Sequence, residues 1–186
     1  METLPTLEDR YKIAYALGLS IAILHTADWL HKSIRSHNVL FATYGDRIAW
    51  QRPYLVGFEF SRPDKPDESS EKPEQSARFN LYRHPLSRGS PTEAFRKTFD
   101  IYSFGVLLLE IGMWRSAWKW WKDGLGATDF QKVMIDLATG KLAHFMGVEY
   151  RDATLKCLNG DLDNRCELTL KAFFIEVVEV LGWCLS

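Results

Sequence analysis

The sequence predicts a mainly α-helical domain with one or two small β-hairpins near its beginning. Apolar residues recur at helical spacing in the first thirty residues and again after residue 100, which predicts helices. Short apolar segments flank a glycine-containing turn between residues 39 and 50, which predicts the hairpin. A length of 186 residues favours a single domain over residues 1–186, long enough to bury a core.

Composition argues against several classes of protein. The 23 basic residues are balanced by 24 acidic residues, so there is no basic excess for a nucleic-acid partner. Cys157, Cys166 and Cys184 form no metal-binding pair and no disulfide framework, which suits a reducing compartment. The beginning resembles no secretory signal, and the longest apolar stretch, residues 106–111, is far too short to cross a membrane. We expect a cytoplasmic protein without a transmembrane segment; membrane association stays open.

The first helix is predicted from its cap and its periodicity. Thr6 followed by Asp9 is typical of a helix N-terminus, because a side-chain oxygen caps the helix and an acid favours its positive end. Over residues 10–30 one apolar stripe recurs at helical spacing: Ile13, Leu17, Ile21 and Leu24. We therefore expect one long helix with a buried face.

A short hairpin follows. Residues 39–41 (VLF) and 47–50 (RIAW) flank Thr43–Asp46, with Gly45 in the turn. The stretch PYLVGFEF, residues 53–60, predicts a further short strand.

Composition changes abruptly after this point. Residues 61–78 hold three prolines, many charges and almost nothing apolar, so we expect a mobile surface loop over residues 61–80. Ser69, Ser70 and Ser76 in this loop are candidate phosphorylation sites, where an added charge would meet nearby Lys or Arg. Serine is also commonplace in polar loops, so these residues have an equally simple explanation without modification.

The second long helix is predicted from Asp100, as its cap, to Gly112. It is apolar nearly all round, which is typical of a buried central helix. Two later segments, residues 149–158 and 168–185, are also helix-like.

Several motifs carry a resemblance to a known family. Residues 31–38 (HKSIRSHN), followed by VLF, resemble the catalytic loop of protein kinases, His-Arg-Asp-Leu-Lys-Pro-Glu-Asn, followed by an apolar strand. YLVGFEFSR, from residue 54, stands where kinases have Asp-Phe-Gly, and LYRHP, residues 81–85, where Ala-Pro-Glu closes the activation segment. DIYSFGVLLLEI, residues 100–111, is similar to the central kinase helix, and CLNGDLDNRC, residues 157–166, matches a later kinase pattern in spacing.

The resemblance implies a fold. Five landmarks in kinase order resemble the C-terminal lobe of the protein kinase superfamily, a helical bundle with small β-hairpins. The Gly-rich loop, the β3 Lys and the helix-αC Glu of kinases would precede the first helix, but only nine residues stand before Arg10. The resemblance therefore implies that the kinase N-lobe is absent from this sequence.

The resemblance also implies that the chemistry is degenerate. The position of the catalytic Asp holds Ser33, whose hydroxyl is no base at neutral pH, and the position of the metal-binding Asp holds Gly57, which has no side-chain oxygen. Asn38, the second metal ligand of kinases, is kept, and Arg35 replaces the phosphate-contacting Lys. Such a site, with His31 and Phe58 in their usual places, implies no catalysis, no metal and no cofactor.

Glu59 is the only nearby candidate for a substitute metal ligand. On a strand, side chains two residues apart lie on the same face, so the Glu59 carboxylate would lie on the same face as a side chain at position 57. The two-residue shift moves the carboxylate by ~6–7 Å along an extended chain, far beyond the tolerance of metal coordination. We expect no rescue from Glu59.

Three further residues have structural explanations. His31 is a scaffold residue in kinases and should pack under the loop; a role for His31, His25 or His37 as a substitute base is the alternative. Asp100 would cap the central helix and bond to the backbone of the catalytic loop. Arg165 would pair with the Glu of Ala-Pro-Glu, but position 86 is Leu. We therefore expect Arg165 to be exposed or to take another acid such as Glu93.

Three tryptophans are candidates for a partner surface. Trp114, Trp118 and Trp121 recur at helical spacing in MWRSAWKWWKDG. Trp beside Lys is found at membrane interfaces and at partner-binding surfaces. The alternative is that the indoles close the side of the domain against the central helix.

These observations favour a non-catalytic, kinase-like (pseudokinase) module acting in protein–protein interaction or in the regulation of signalling, with an unidentified protein partner. LHTADWLHKSIRSHNVLF with YLVGFEFSRP further resembles the kinase-like domains of fungal prion-inhibition and propagation (HeLo-type) proteins, which implies a role in fungal immunity or cell death. The alternatives are a protein serine/threonine kinase that binds ATP and Mg²⁺ through unusual ligands, and a non-functional truncated fragment.

Overall fold

The computed structural model describes residues 4–65, 76–88, 94–160, 162 and 166–185, without the side chains of residues 166–168. Helices dominate, and the strands form two small antiparallel sheets of two strands each. The predicted mainly α fold with small β-hairpins is confirmed at this level.

The first helix, α1, spans Leu7–Thr26. Its predicted start is confirmed, because the Thr6 side chain accepts a hydrogen bond from the Asp9 backbone N–H while the Asp9 carboxylate accepts one from the Thr6 backbone N–H. The prediction that the helix continues to residue 30 is wrong. Asp28 has a positive φ of 55°, which ends the helical path.

Four strands follow in the described residues, and they pair in two sheets. The strands are β1 (Trp29–Leu30), β2 (Val39–Tyr44), β3 (Arg47–Leu55) and β4 (Arg62–Pro63). β2 and β3 form the predicted hairpin around Gly45, with Val39 opposite Leu55, and β1 pairs antiparallel with β4.

The prediction of a separate strand at residues 53–60 is wrong. Its first three residues extend β3, and Phe58–Phe60 form a 3₁₀ helix. The prediction of a mobile loop over residues 61–80 needs a correction at both ends, because Arg62–Pro63 lie in β4 and Ala77–Asn80 form the short helix α2. Residues 66–75 of that loop lie outside the described part of the chain.

The central helix, α3, spans Lys97–Met113, and almost all of its side chains are buried, as predicted. Asp100 is not its cap: the capping position is Arg96, and Asp100 lies in the first turn. The packing of α3 leaves no room at Gly112, where a Cβ would lie 2.5 Å from Leu142 Cδ1. Gly112 therefore lets the next layer of helices approach the backbone of α3.

The remaining described helices pack around α3. They are α4 (Ala127–Leu137), a π-helical turn (Ala138–Leu142), α5 (Ala143–Asn159), α6 (Cys166–Phe173), a second π-helical turn (Phe174–Val178) and α7 (Glu179–Trp183). The two predicted helical segments after residue 148 are thus confirmed. The main core lies where α1, α3 and α5 meet. None of the helices in the described ranges is long and apolar enough to cross a bilayer.

Candidate functional site

The loop between β1 and β2 is tied to the central helix by one buried carboxylate. Asp100 is fully buried, and its two oxygens accept hydrogen bonds from the backbone N–H groups of His31 (2.7 Å) and Lys32 (2.8 Å). His25 Nε2 lies 3.3 Å from the same carboxylate. Lys32 has a positive φ of 66°, a backbone conformation that residues other than glycine rarely adopt. The two hydrogen bonds to Asp100 hold this conformation in place. The bond from Asp100 to the loop backbone that the kinase resemblance implies is present.

His31 is held inside this loop. It is buried, its ring centroid lies 4.6 Å from that of Phe58, and its Nδ1 accepts a hydrogen bond from the Ser33 backbone N–H. Burial lowers the pKa of His31, and the nearby Asp100 opposes this shift only in part. The ring is therefore buried and packed under the loop, as expected of a scaffold residue, and the role of His31 stays a prediction.

Ser33 and Asn38 satisfy each other. Asn38 Nδ2 donates to the Ser33 carbonyl oxygen at 2.8 Å and to Ser33 Oγ at 3.0 Å, and both residues are buried. The two residues that the resemblance aligns with the kinase base and the second metal ligand are therefore bonded to one another. The Asn38 amide uses its NH₂ group for both bonds, and its Oδ1 takes no part in them.

Gly57 lies directly against the side chain of Asn38. Its φ is +87°, and a Cβ built on it would lie 2.2 Å from Asn38 Nδ2. An aspartate therefore does not fit at position 57 unless Asn38 moves away. Glu59 is exposed and lies in the 3₁₀ helix Phe58–Phe60, so the strand alternation that would place it beside position 57 does not apply. In the described residues, no cluster of three or more His, Cys, Asp or Glu side chains is arranged to hold a metal.

The side chain of Arg35 contacts the short helix α2. Its guanidinium carbon lies 3.7 Å from the centroid of the Phe79 ring, a cation–π contact with α2. Arg35 therefore helps to fix α2 against the loop.

A second buried carboxylate, Glu110, was missed by the sequence reasoning. Glu110 Oε1 accepts hydrogen bonds from Tyr82 Oη at 2.7 Å and from the Ala117 backbone N–H at 2.5 Å. Ser36 Oγ lies 2.8 Å from Tyr82 Oη, so this network joins α3 to the loop and to the LYRHP motif. The sequence does contain an indication of this buried acid, because Glu110 interrupts LLLEI, residues 107–111, in an otherwise apolar helix.

The prediction that three tryptophans share one helical face is wrong at Trp114. This residue ends α3 in a left-handed conformation (φ 48°), and its ring packs edge-on against Trp50 at 5.4 Å. The Cζ atom of Arg10 also lies over the Trp114 ring, 5.7 Å from the centroid. Trp114 therefore joins β3 to the end of the central helix.

The other two tryptophans form a separate pair. Ala117–Trp120 is a 3₁₀ helix, which places Trp118 and Trp121 in a stack with their centroids 6.4 Å apart. Trp121 packs on Phe130 at 5.9 Å, whereas Trp118 is 41% exposed. Of this pair, Trp118 is therefore the tryptophan that is exposed enough to contact a partner.

Several predicted residues lie outside the described part of the chain: Ser69, Ser70, Glu93 and Arg165. The expected pairing of Arg165 therefore stays a prediction. Ser76 is described and lies half-buried directly before α2.

Comparison with known proteins adds no relative. The chain matches no protein-family model, and no curated protein gives a significant sequence match.

Asp100→Asn should lower the free energy of unfolding by about 1.5–3 kcal/mol, the usual worth of hydrogen bonds to a charged group. The substitution leaves one oxygen acceptor and turns an NH₂ group towards the second backbone N–H. Urea denaturation measures the change. Asp123→Asn, at an exposed turn residue, is the control and should change the value by less than about 0.5 kcal/mol. Equal values for the two variants would contradict the role given to Asp100.

Gly57→Ala should destabilise the protein more than Gly45→Ala. Both glycines have positive φ (87° and 60°), so both variants carry backbone strain, but only at Gly57 does the new Cβ meet another residue. We expect an additional loss of about 1–3 kcal/mol from the contact with Asn38. Thermal or urea unfolding of the two variants measures this difference, and an equal loss would show that Asn38 does not close the site.

Proposed function

We propose that this chain is a non-catalytic module with the arrangement of a protein kinase C-lobe and that it acts by binding another protein in a signalling pathway. One observation carries the proposal. The residues at the positions of the kinase base and metal ligands contact each other: Asn38 donates to Ser33, and Gly57 lies against Asn38 and leaves it the space of a side chain.

The chemistry of phosphoryl transfer explains why this arrangement favours binding over catalysis. The reaction needs a group that accepts the proton of the substrate hydroxyl, and oxygen ligands that hold Mg²⁺ against the phosphates. Ser33 supplies no base, and its hydroxyl oxygen accepts the Asn38 amide. An acid at position 57 would require Asn38 to move from its bonds with Ser33.

Two contacts support the kinase-like part of the proposal. Asp100 holds the backbone of residues 31 and 32, as the resemblance implies. His31 packs against Phe58 with its ring tilted by 53°, and this contact joins the two degenerate motifs. Both contacts preserve the shape of a catalytic loop without its acids, and a module that only binds a partner needs nothing more.

The partner surface that we propose is centred on Trp118. Its indole is 41% exposed and is backed by Trp121, and the exposed Lys119 and Lys122 flank it. Tryptophan is enriched among the residues that dominate binding energy at protein interfaces. Trp114 is excluded from this surface because it packs on Trp50.

The finer form of the proposal rests on the sequence resemblance to the kinase-like domains of fungal HeLo-type proteins. It assigns the chain to the regulatory part of a cytoplasmic immunity or cell-death protein, with an unidentified protein partner. The resemblance lies in residues 24–41 and 54–63.

Addition of Mg-ATP should leave the melting temperature unchanged within about 1 °C. A ligand present at 100 times its Kd would add about 2.7 kcal/mol of stability, which for a domain of this size would raise Tm by about 5–10 °C. Differential scanning fluorimetry with 1 mM Mg-ATP makes the comparison. A shift of several degrees that disappears in Asn38→Ala would favour the alternative, an ATP-binding kinase.

Trp118→Ala should weaken capture of the native partner by about tenfold or more, the size of effect seen at the hot spots of interfaces. Trp29→Ala is the matched control, because Trp29 is 42% exposed and Trp118 is 41% exposed. Quantitative pull-down from native lysate with the two variants tests the surface. Retention of every partner by Trp118→Ala would rule out this face.

A further inference from the structure

A small pocket lies between the loop that follows β1, the helix α2 and the LYRHP motif. Its volume is about 20 Å³. The residues that line it include three cations and no acid. The cations are Lys32, Arg35 and Arg83, and Ser33, Phe60 and Phe79 also contribute to the walls. The sequence analysis gave Arg83 no role.

Arg83 is the unusual group in this pocket. It is half-buried, and no acid among the described residues forms an ion pair with its guanidinium. Burial penalises a charged group unless a partner of opposite charge compensates for the lost water. The structure therefore holds a partly desolvated positive charge without such a compensation among the described residues.

Two further arginines add positive charge around Arg83. Burial and the charges of Arg35 and Arg88 lower the pKa of Arg83 to about 10. Arg88 is held in place because it donates to the carbonyl oxygens of Leu81 and Arg83. Arg35 is held by the ring of Phe79. These contacts keep the three guanidinium groups near one another despite their repulsion.

The buried acids of the central helix do not neutralise this charge. Neither Asp100 nor Glu110 lines the pocket. Asp100 accepts its hydrogen bonds from the loop backbone, and Glu110 accepts from Tyr82 and Ala117. An anion in the pocket would therefore meet positive charge and no lining carboxylate.

The pocket also offers a neutral donor. Ser33 Oγ accepts a hydrogen bond from Asn38, so its own hydroxyl hydrogen can be donated to a ligand. The hydroxyl of Ser103, which also lines the pocket, donates to the Phe99 carbonyl oxygen instead.

We propose that this pocket binds the phosphoryl group of a phosphomonoester, with the Arg83 guanidinium and the Ser33 hydroxyl donating to its oxygens. Such a group carries a charge of about −1.5 to −2 at pH 7 and three strong acceptor oxygens. The planar fork of an arginine matches two of these oxygens, which makes arginine the preferred residue for bidentate recognition of phosphate.

The size of the pocket limits what it can enclose. A volume of about 20 Å³ admits only one or two groups the size of a water molecule. Oxygens of one phosphoryl group fit, whereas the rest of the ester, or a nucleotide, stays outside. The half-buried rings of Phe60 and Phe79 offer an apolar surface to that outer part. The proposal does not depend on the partner surface at Trp118.

Titration of the full chain with phosphoserine blocked at both ends, followed by two-dimensional ¹H–¹⁵N NMR, tests the proposal. Blocked serine is the neutral control. We expect phosphoserine to bind about tenfold or more tightly than serine, which corresponds to one hydrogen bond between charged groups. The shifts should centre on the Arg83 Nε–H and the Ser33 backbone N–H. Equal binding of the two compounds, or shifts centred elsewhere, would overturn the proposal.

A third titration, with inorganic phosphate, separates the two sources of this chemistry. Binding as tight as that of blocked phosphoserine would identify the phosphoryl group alone as the ligand, as in a free phosphate ester. Tighter binding of blocked phosphoserine would identify a phosphorylated protein, because the peptide part then adds contacts outside the pocket.

Arg83→Ala supplies the variant. Its side chain forms no ion pair among the described residues and is repelled by its neighbours, so Tm should stay the same or rise. Phosphoserine should lose about tenfold in affinity, and Arg83→Lys, which keeps the charge without the fork, should lose less. Arg52→Ala, at an exposed arginine of β3, controls for net charge and should change the affinity by less than about twofold.

Two outcomes for the variants would show that the proposal is wrong. Equal losses of phosphoserine affinity in Arg83→Ala and Arg52→Ala would indicate a general effect of charge. A fall in Tm of several degrees in Arg83→Ala, with phosphoserine affinity unchanged, would indicate a structural role. Since the comparison of phosphoserine with serine uses the wild-type chain, unfolding of a variant would not remove the test.

Discussion

The buried carboxylate of Asp100 accepts two backbone hydrogen bonds from the loop at His31 and Lys32, and the arrangement of the candidate site depends on this contact. The helix that carries Asp100 is held by apolar burial along almost its whole length, so the carboxylate has a fixed position. Charge-assisted bonds from two neighbouring N–H groups then force Lys32 into a left-handed conformation and turn His31 inwards onto Phe58. The buried central helix thus determines the shape of the loop through Asp100.

That constraint separates the fold of the loop from its chemistry. Asn38 and Ser33 satisfy each other inside the frame that Asp100 provides, and Gly57 supplies the positive φ and the space that this pair requires. None of these contacts needs an acid at position 33 or 57. The loop, the central helix and the hairpin therefore hold together without the acids that phosphoryl transfer would need at these two positions.

The sequence predicted those features that local chemistry decides. The capping box at Thr6, the apolar α3 and the turn at Gly45 are written in short stretches of residues, and the structure shows all three. The end of α1, the helical turn at Phe58–Phe60 and the position of Trp114 depend on neighbours distant in the chain, so periodicity alone misplaced them. The contact between Gly57 and Asn38, which closes the site, is likewise visible only in three dimensions.

The central helix carries two buried acids ten residues apart, and they differ in how well they are satisfied. Both oxygens of Asp100 are occupied by the loop, so its burial is explained by structure alone. Glu110 uses one oxygen to join Tyr82 and Ala117, and its other oxygen has no donor among the described residues. Folded proteins satisfy nearly all buried polar groups, and Glu110 Oε2 is one of several buried side-chain atoms without a partner among the described residues. The acid at position 110 therefore has a structural role, because its Oε1 joins the central helix to Tyr82 and to the backbone at Ala117.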